Sequence, residues 1–155
     1  MIIDWDEYFM GVALLSAKRS KDPHTQVGAC IINEDKRIVG VGYNGMPKGC
    51  HDNDFPWARE GATLEQKYLY VVHAELNAIL NSTQSLKNCT IYTALFPCNE
   101  CCKAIIQSGI KQIVYLSDKY QNTDSVISSK RMFDAAKVTY RQFNPAQKEI
   151  KLSFT

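Results

Sequence analysis

The feature that most constrains the fold is a regular alternation of helical and extended patterns in the second half of the chain. The predicted segments, helix and strand in turn, are residues 72–81, 90–94, 98–108, 112–116, 123–136 and 138–143. The helical segments carry apolar residues at helical spacing, and the extended ones are short and rich in β-branched side chains. Strands that alternate with helices predict a layered α/β domain, because helical crossovers bring successive strands into parallel pairs.

A helix and a hairpin are predicted before this region. Residues 4–19 have the pattern of an amphipathic helix, and Asp4 followed by Glu7 resembles a capping box. Residues 27–33 and 38–43 are β-branched runs separated by a polar turn, which predicts a β-hairpin and therefore a mixed sheet. The residues expected on the apolar face of the helix are Trp5, Phe9, Val12 and Leu15.

The chain between the hairpin and residue 71 has no clear periodicity. Asn44–Pro47 is predicted to be a turn that ends the second strand. Residues 50–70 are polar with scattered aromatic side chains, a pattern that is typical of a functional loop or an interface.

Length and charge exclude several classes of protein. At 155 residues the chain suits one compact domain over residues 1–155, and 45% hydrophobic with 22% charged residues excludes wholesale disorder. A net charge of +2 is too balanced for a nucleic-acid or membrane-surface binder, and no apolar run is long enough to span a membrane. The acidic start Met1–Glu7 does not resemble a signal peptide, so we expect a soluble, cytoplasmic protein.

Six cysteines in a chain without an export signal indicate metal binding or catalysis rather than a disulfide scaffold. Cys98 and Cys101, on the first turn of a predicted helix, lie on one face and can hold one metal ion. Pro97 suits the opening of that helix, and the positive end of the helix dipole favours thiolates. The other cysteines are expected to be buried or idle, with no second zinc at Cys50 and His51.

A neutral imidazole and two thiolates are typical zinc ligands, which makes His73 the candidate partner of the two cysteines. Three protein ligands leave a fourth tetrahedral position open for water, which is typical of a catalytic site. Glu75 is two residues from His73, so both can face one cleft only if they lie at the start of a helix. Glu75 would then lie beside the metal without binding it, placed to transfer protons.

Simpler interpretations remain open at this point. A Cys-x-x-Cys pair can be a redox pair, or part of a structural zinc site to which Cys102 would add a ligand. A His-x-Glu triplet also occurs by chance. The two motifs together, with Pro97 and a predicted strand before the first cysteine, favour a catalytic zinc.

His73-Ala74-Glu75 and Pro97-Cys98-Asn99-Glu100-Cys101 match the H-x-E…P-C-x-x-C signature of zinc-dependent nucleobase deaminases. Over most of its length the chain resembles the deoxycytidylate (dCMP) deaminase family, and Gly42–Pro47 is the stretch that narrows the resemblance. The other stretches that carry it are Lys18–Pro23, Gln26–Cys30, His73–Ile79, Leu95–Cys101 and Ser117–Tyr120. The resemblance implies a cytidine deaminase-like fold, a three-layer α/β/α sandwich with a mixed five-stranded sheet.

The resemblance also implies an activity, a cofactor and regulation. The reaction would be hydrolytic deamination of dCMP to dUMP with release of ammonia, which supplies dUMP for thymidylate synthesis. Zinc would be held by His73, Cys98 and Cys101, and Glu75 would transfer protons. The activator dCTP and the inhibitor dTTP would act on a homohexamer, with the activator near Gly42, Tyr43, Asn44 and Gly45.

Substrate contacts are expected in two regions. By the resemblance, Asn44 touches the sugar or the base, and the backbone of Ala74 meets the pyrimidine edge; the alternative for Asn44 is a turn residue. The phosphate needs a cationic or N–H-rich cradle. Candidates are Ser20, Lys21 and Tyr120, from the stretches Lys18–Lys21 and Lys119–Tyr120, and the alternative is a solvated charged turn.

Two other functions compete with this one. A deaminase that acts on another base, such as cytidine or adenosine in tRNA, shares the signature, although the modest net charge argues against RNA. A zinc-stabilised interaction module or a regulatory pseudoenzyme needs no carboxylate at position 75, so the intact Glu75 counts against both.

Overall fold

The computed structural model describes residues 2–155, and over this range the chain forms five strands and four helices. The strands are β1 (Gly28–Ile32), β2 (Ile38–Tyr43), β3 (Thr90–Leu95), β4 (Gln112–Ser117) and β5 (Thr139–Gln142). The helices are α1 (Trp5–Ala17), α2 (Ala74–Asn81), α3 (Asn99–Gln107) and α4 (Asp124–Ala136). Within residues 2–155, none of the helices has the length and apolar character needed to cross a membrane.

The strands form one mixed sheet in the order β2-β1-β3-β4-β5. β1 pairs antiparallel with β2, through the predicted hairpin, and antiparallel with β3. β3, β4 and β5 are parallel, and α3 and α4 make the crossovers between them. The predicted order of elements and the mixed sheet are therefore confirmed. The aperiodic region 50–70 contains two short 3-10 turns, Thr63–Glu65 and Lys67–Leu69.

Apolar side chains alternate between the two faces of the sheet, so the core has two parts. On β1, Ala29 and Ile31 belong to a cluster formed with α2, α3 and α4. Cys30 and Ile32, between and after them, belong to a second cluster formed with α1. This period of two places helices on both faces of the sheet. The three-layer α/β/α sandwich that the resemblance implied is confirmed.

The first helix begins as predicted, and the face that it buries agrees with the predicted one in part. Asp4 is its N-cap, and reciprocal hydrogen bonds of 2.7 and 3.0 Å between Asp4 and Glu7 form the capping box. Of the four residues predicted on its apolar face, Phe9 is fully buried and Val12 packs against the core, whereas Trp5 and Leu15 are 54% and 57% exposed. At 3.6 residues per turn, Leu15 lies on the side opposite the buried face and Trp5 lies at its edge. The apolar residues that α1 buries are Phe9, Met10, Ala13 and Ala17.

Close packing of α2 on β2 depends on Gly42. A Cβ atom at this position would lie 2.3 Å from the backbone nitrogen of Ala78 and 2.6 Å from the carbonyl oxygen of Ala74. Gly45, three residues further on, forms an isolated β-bridge with Val72. A Cβ atom on Gly45 would have no such neighbour within 4 Å. Of these two glycines, sterics therefore require only Gly42.

Gly42→Ala is expected to lower the free energy of unfolding by about 1–3 kcal/mol, because the new methyl group overpacks the contact between α2 and β2. Gly45→Ala is the matched control, and its unfolding free energy should stay within about 0.5 kcal/mol of the wild-type value. Urea unfolding followed by circular dichroism measures both. Equal destabilisation by the two substitutions would contradict the packing argument.

A polar cluster ties α1 to the far end of the sheet. The Arg141 guanidinium, on β5, donates two hydrogen bonds of 2.7 and 2.9 Å to the Asp6 carboxylate, and the Tyr92 hydroxyl donates another. The hydrogen bonds from Arg141 hold the pKa of Asp6 below its usual 3.8, against the effect of burial. The two-pronged geometry makes this pair stronger than most ion pairs near a surface.

Arg141→Met is expected to cost about 1 kcal/mol of stability at neutral pH. A carboxyl group whose pKa is lower in the folded protein contributes stability above its unfolded pKa and loses it as the pH falls through the folded value. The stability difference between wild type and variant should therefore be complete above about pH 4 and shrink below it. Urea unfolding at several pH values measures it. A difference that does not change with pH would refute the ionic contribution.

Candidate active site

A cavity of about 420 Å³ opens where β3 and β4 end, beside the start of α2. Ligands bind at this edge of open α/β sheets, because the loops that leave the strands enclose a crevice there. Much of the wall is apolar. Its polar and charged lining residues include Asp22, Asn44, Arg59, Lys67, His73, Glu75 and Tyr120.

Three metal-binding side chains converge at this cavity. His73 is the N-cap of α2, Cys98 is the N-cap of α3, and Cys101 lies in the first turn of α3. Nδ1 of His73 is 3.3 Å from Sγ of Cys98 and 3.5 Å from Sγ of Cys101. All three ligand atoms lie within 4.8 Å of one another. One imidazole nitrogen and two sulfurs form a donor set that fits zinc and leaves a fourth position open.

The helix starts bring these ligands together. At both N-caps the backbone is extended, with ψ 156° at His73 and 169° at Cys98. Sγ of Cys98 also accepts a hydrogen bond of 3.5 Å from the backbone N–H of Cys101. Pro97 therefore precedes the N-cap, and α3 begins at Asn99, one residue later than predicted. Helix α2 begins two residues later than predicted, because Val72 pairs in a β-bridge.

Charges within the cluster favour a thiolate at Cys98. The hydrogen bond from Cys101 lowers the pKa of the Cys98 thiol against the effect of burial, and His73 lowers it further. The pKa of Cys101 is raised, first by its hydrogen bond with Cys98 and then by burial. The contact with Cys98 also raises the pKa of His73. The cluster therefore favours a single thiolate, at Cys98, next to an imidazole that holds its proton more strongly.

Glu75 lies buried in the first turn of α2 and lines the same cavity without belonging to the metal-binding group. Burial raises the pKa of its carboxyl group, although His73 and the hydrogen bond from Thr93 work against that shift. The Thr93 hydroxyl lies 3.1 Å from Oε1 of Glu75 and 3.1 Å from the carbonyl oxygen of Leu95. A buried carboxyl with a raised pKa is suited to take up and release protons near neutral pH.

Cys102, next to the metal-binding pair, lies outside it. Its side chain is buried in the core, and Sγ donates a hydrogen bond of 3.5 Å to the carbonyl oxygen of Ser129. Burial raises the pKa of this thiol to about 11. A structural zinc site that includes Cys102 is therefore not formed.

Three of the predicted substrate residues line the cavity and two do not. Asn44, Ala74 and Tyr120 line it, the first two buried and Tyr120 half-exposed. Ser20 and Lys21 do not line it. Ser20 is buried and its hydroxyl accepts a hydrogen bond from the backbone N–H of Asp22, while the Lys21 ammonium pairs with Asp52, which does not line the cavity either. A contact between either residue and a phosphate stays a prediction.

The residues predicted to hold an effector are divided in the same way. Gly42 packs against α2, and Tyr43 lies beneath the Arg19 guanidinium, 5.9 Å from the centre of the ring. Neither residue lines the cavity, nor does Gly45, whereas Asn44 between them does.

Sequence analysis missed four residues of this site. Asp22, Arg59 and Lys67 line the cavity, and Thr93 holds Glu75. Thr93 was detectable as a polar residue in the middle of an apolar strand. Nothing in the aperiodic region 50–70 marks Arg59 or Lys67 as neighbours of the catalytic motifs.

Residues 3–117 match the family model of the cytidine and deoxycytidylate deaminase zinc-binding region. The chain belongs to the cytidine and deoxycytidylate deaminase family. Two relatives named deoxycytidylate deaminase, from Pongo abelii and Homo sapiens, are 54% and 53% identical to it over 98% of this chain and 86% of theirs. The family membership and the zinc cofactor expected from the sequence are confirmed.

Solved structures support the same fold. The apo structure of dCMP deaminase from the cyanophage S-TIM5 has a TM-score of 0.70 and 25% identity, and it covers 92% of this chain and 100% of that one. A tRNA:A34 deaminase structure has a TM-score of 0.55 at 20% identity, covering 88% of this chain and 91% of that one, so it shares the fold.

Cys101→Ser is expected to reduce the zinc content from about one ion per chain to well below half, because a hydroxyl is a poorer zinc ligand than a thiolate. The adjacent Cys102→Ser is the matched control and should keep its zinc. Atomic emission after gel filtration measures the metal, and circular dichroism confirms that both variants fold. Equal zinc contents in the two variants would contradict the ligand assignment.

Proposed function

We propose that this protein deaminates dCMP to dUMP by hydrolysis, with release of ammonia. The observation that carries the proposal is the buried Glu75 carboxyl beside the His73, Cys98 and Cys101 group in a cavity of about 420 Å³. That volume is in the range of small-molecule sites and suits a mononucleotide. Relatives more than 50% identical that are named deoxycytidylate deaminase support dCMP as the substrate.

The roles of the side chains follow from their places in the site. His73, Cys98 and Cys101 would hold the zinc ion, which when bound would supply an activated water for attack at C4 of the cytosine ring. Glu75 takes the first proton of the water and gives it to N3. It then takes the second proton, from the hydroxyl group now on C4, and gives it to the amino group, which leaves as ammonia while the C4 carbonyl forms. Thr93 holds the Glu75 carboxyl, and burial keeps its pKa raised so that it can both accept and return a proton.

Substrate contacts are proposed for three parts of the nucleotide. The backbone of Ala74 meets the pyrimidine edge, and the buried Asn44 accepts a hydrogen bond from the sugar. Arg59 lines the cavity and is the proposed partner of the 5′-phosphate, because a guanidinium binds phosphate oxygens well. Tyr120, at the half-exposed edge, and the Ser20–Lys21 turn remain candidates for the same phosphate.

Further properties are proposed as well. Activation by dCTP with inhibition by dTTP, self-association as a homohexamer and supply of dUMP for thymidylate synthesis rest on the family resemblance. A cytoplasmic location and a single domain over residues 1–155 rest on the composition and length of the chain. For regulation, the position of Asn44 is informative. It lines the cavity while Tyr43 and Gly45 on either side do not, so it would connect an effector bound there to the substrate.

Glu75→Gln is expected to lower kcat at least about 100-fold while zinc content and fold are kept, because an amide cannot exchange the proton. Glu100→Gln is the matched control, since Glu100 is also an acidic residue in the first turn of a ligand-bearing helix but is exposed. Its kcat should stay near the wild-type value. A Glu75→Gln variant that keeps a tenth of the wild-type rate would refute the role of the carboxyl.

Ammonia release from dCMP, deoxycytidine, dCTP and tRNA, with and without added dCTP as effector, tests the substrate. We expect dCMP to be preferred, and Arg59→Met to raise KM for dCMP about tenfold without a matching rise for deoxycytidine. Lys48→Met removes another exposed cation, one that does not line the cavity, and is the control. Equal losses on dCMP and deoxycytidine would exclude a phosphate contact. Ammonia release from tRNA alone would favour a deaminase that acts on adenosine in tRNA. No ammonia release from any of the four compounds would favour a non-catalytic zinc module.

A further inference from the structure

A buried ion pair lies in the cavity wall and has no part in the chemistry described so far. Nζ of Lys67 donates a hydrogen bond of 2.6 Å to Oδ2 of Asp22, and these side chains are 9% and 1% exposed. Asp22 belongs to the loop before β1, whereas Lys67 belongs to the aperiodic region 50–70. Two charges taken out of water need good geometry and further hydrogen bonds, so such a pair is costly unless it organises its surroundings.

The Asp22 carboxylate has hydrogen bonds on both oxygens. Oδ1 accepts from the backbone N–H groups of His24 and Thr25 at 2.8 and 3.2 Å. Oδ2 accepts from Lys67 and from Nδ2 of Asn44, the latter at 3.4 Å. Burial acts to raise the pKa of Asp22, but the hydrogen bonds from Lys67 and the backbone outweigh it, so the group stays ionised at neutral pH.

These contacts determine what Asn44 can offer a ligand. Its Nδ2 group donates to Asp22 and, at 2.9 Å, to the carbonyl oxygen of Thr25, which uses both of its hydrogens. Its Oδ1 accepts from the backbone N–H of Val27 at 2.9 Å, which leaves one lone pair. Asn44 can therefore accept a hydrogen bond from a bound molecule but cannot donate one.

Lys67 also holds the opposite wall. Its backbone N–H donates to the carbonyl oxygen of Ala58 at 2.9 Å. Its carbonyl oxygen accepts from the N–H groups of Tyr70 and Val71, both at 2.9 Å. The chain from residue 58 to residue 71, which carries Arg59 and leads into α2, is therefore fastened to the Asp22 side of the cavity through one ammonium group.

We propose that the Asp22–Lys67 ion pair is a positioning unit that fixes the Asn44 amide as an acceptor for the 3′-hydroxyl of the nucleotide sugar. The proposal rests on the proposed deamination of dCMP. If Asp22 is replaced by asparagine, the new amide nitrogen faces the Nδ2 group of Asn44, so that two donors meet. Asn44 can then regain a hydrogen bond by turning its oxygen towards position 22, which removes the acceptor from the cavity. If Lys67 is removed, the buried carboxylate loses its counter-charge and the segment 58–71 loses its fastening. Either change disturbs the same acceptor.

The variants Asp22→Asn, Lys67→Met and the double variant test the unit. Each single variant should raise KM for dCMP about tenfold and leave kcat within about threefold, with zinc content unchanged. Because the two side chains act as one unit, the KM of the double variant should be no higher than that of the more impaired single variant. Arg141→Met is the matched control, since it breaks another carboxylate–cation pair with a third polar partner, on the other face of the sheet. It should lower stability and leave KM unchanged.

A raised KM in Lys67→Met with an unchanged KM in Asp22→Asn would overturn the proposal, because it would mean that the ammonium touches the nucleotide directly. Increases in KM that add up in the double variant would overturn it as well, and so would single variants with lower stability but an unchanged KM.

A substrate without the 3′-hydroxyl gives an independent readout. Wild-type protein should prefer dCMP over 2′,3′-dideoxy-CMP about tenfold in kcat/KM, and the single variants should lose this preference. This comparison on the wild type does not depend on whether the variants fold, and equal values there would overturn the proposal. Absence of any ammonia release from dCMP by zinc-loaded wild type would instead refute the proposed function.

Discussion

Two helix starts, those of α2 and α3, meet beside one cavity, and the rest of the site depends on this arrangement. His73 and Cys98 are the two N-caps, so two of the metal ligands are placed by where the helices begin. Helix starts also carry unpaired backbone N–H groups and the positive end of the dipole, which favour negative charge on the sulfurs. The ligand set is therefore as rigid as the packing of both helices on the same face of the sheet.

Glu75 and Asp22 are both buried carboxyl groups of the cavity wall, and their partners push their pKa values apart. Burial acts to raise both. Asp22 receives the Lys67 ammonium and two backbone N–H groups, which together lower its pKa and keep it charged. Glu75 receives the Thr93 hydroxyl, and its pKa stays raised. Two carboxyls in one wall thus take different roles, one for holding structure and one for moving protons, as in other enzymes that use paired acids.

Local sequence signals predicted the metal ligands well, because the residues concerned lie in short motifs at helix starts. The buried face of α1 was predicted in part: Phe9 and Val12 face the core, whereas Leu15 is apolar but lies away from the sheet. The Asp22–Lys67 pair could not be predicted, since its members are 45 residues apart and one of them lies in a region without periodicity. What joins them is tertiary packing, for which neither residue type nor spacing gives a signal.

The burial of the cysteines makes the protein convenient to label. Cys30, Cys89 and Cys102 are buried, and burial raises the pKa of each thiol, so these three cysteines react slowly with alkylating reagents. With Cys98 and Cys101 committed to the metal, Cys50 is the remaining thiol, and it is partly exposed. It lies at the entrance to the segment that carries Arg59 and Lys67. A fluorophore or spin label attached there would report on that segment in the unmodified sequence.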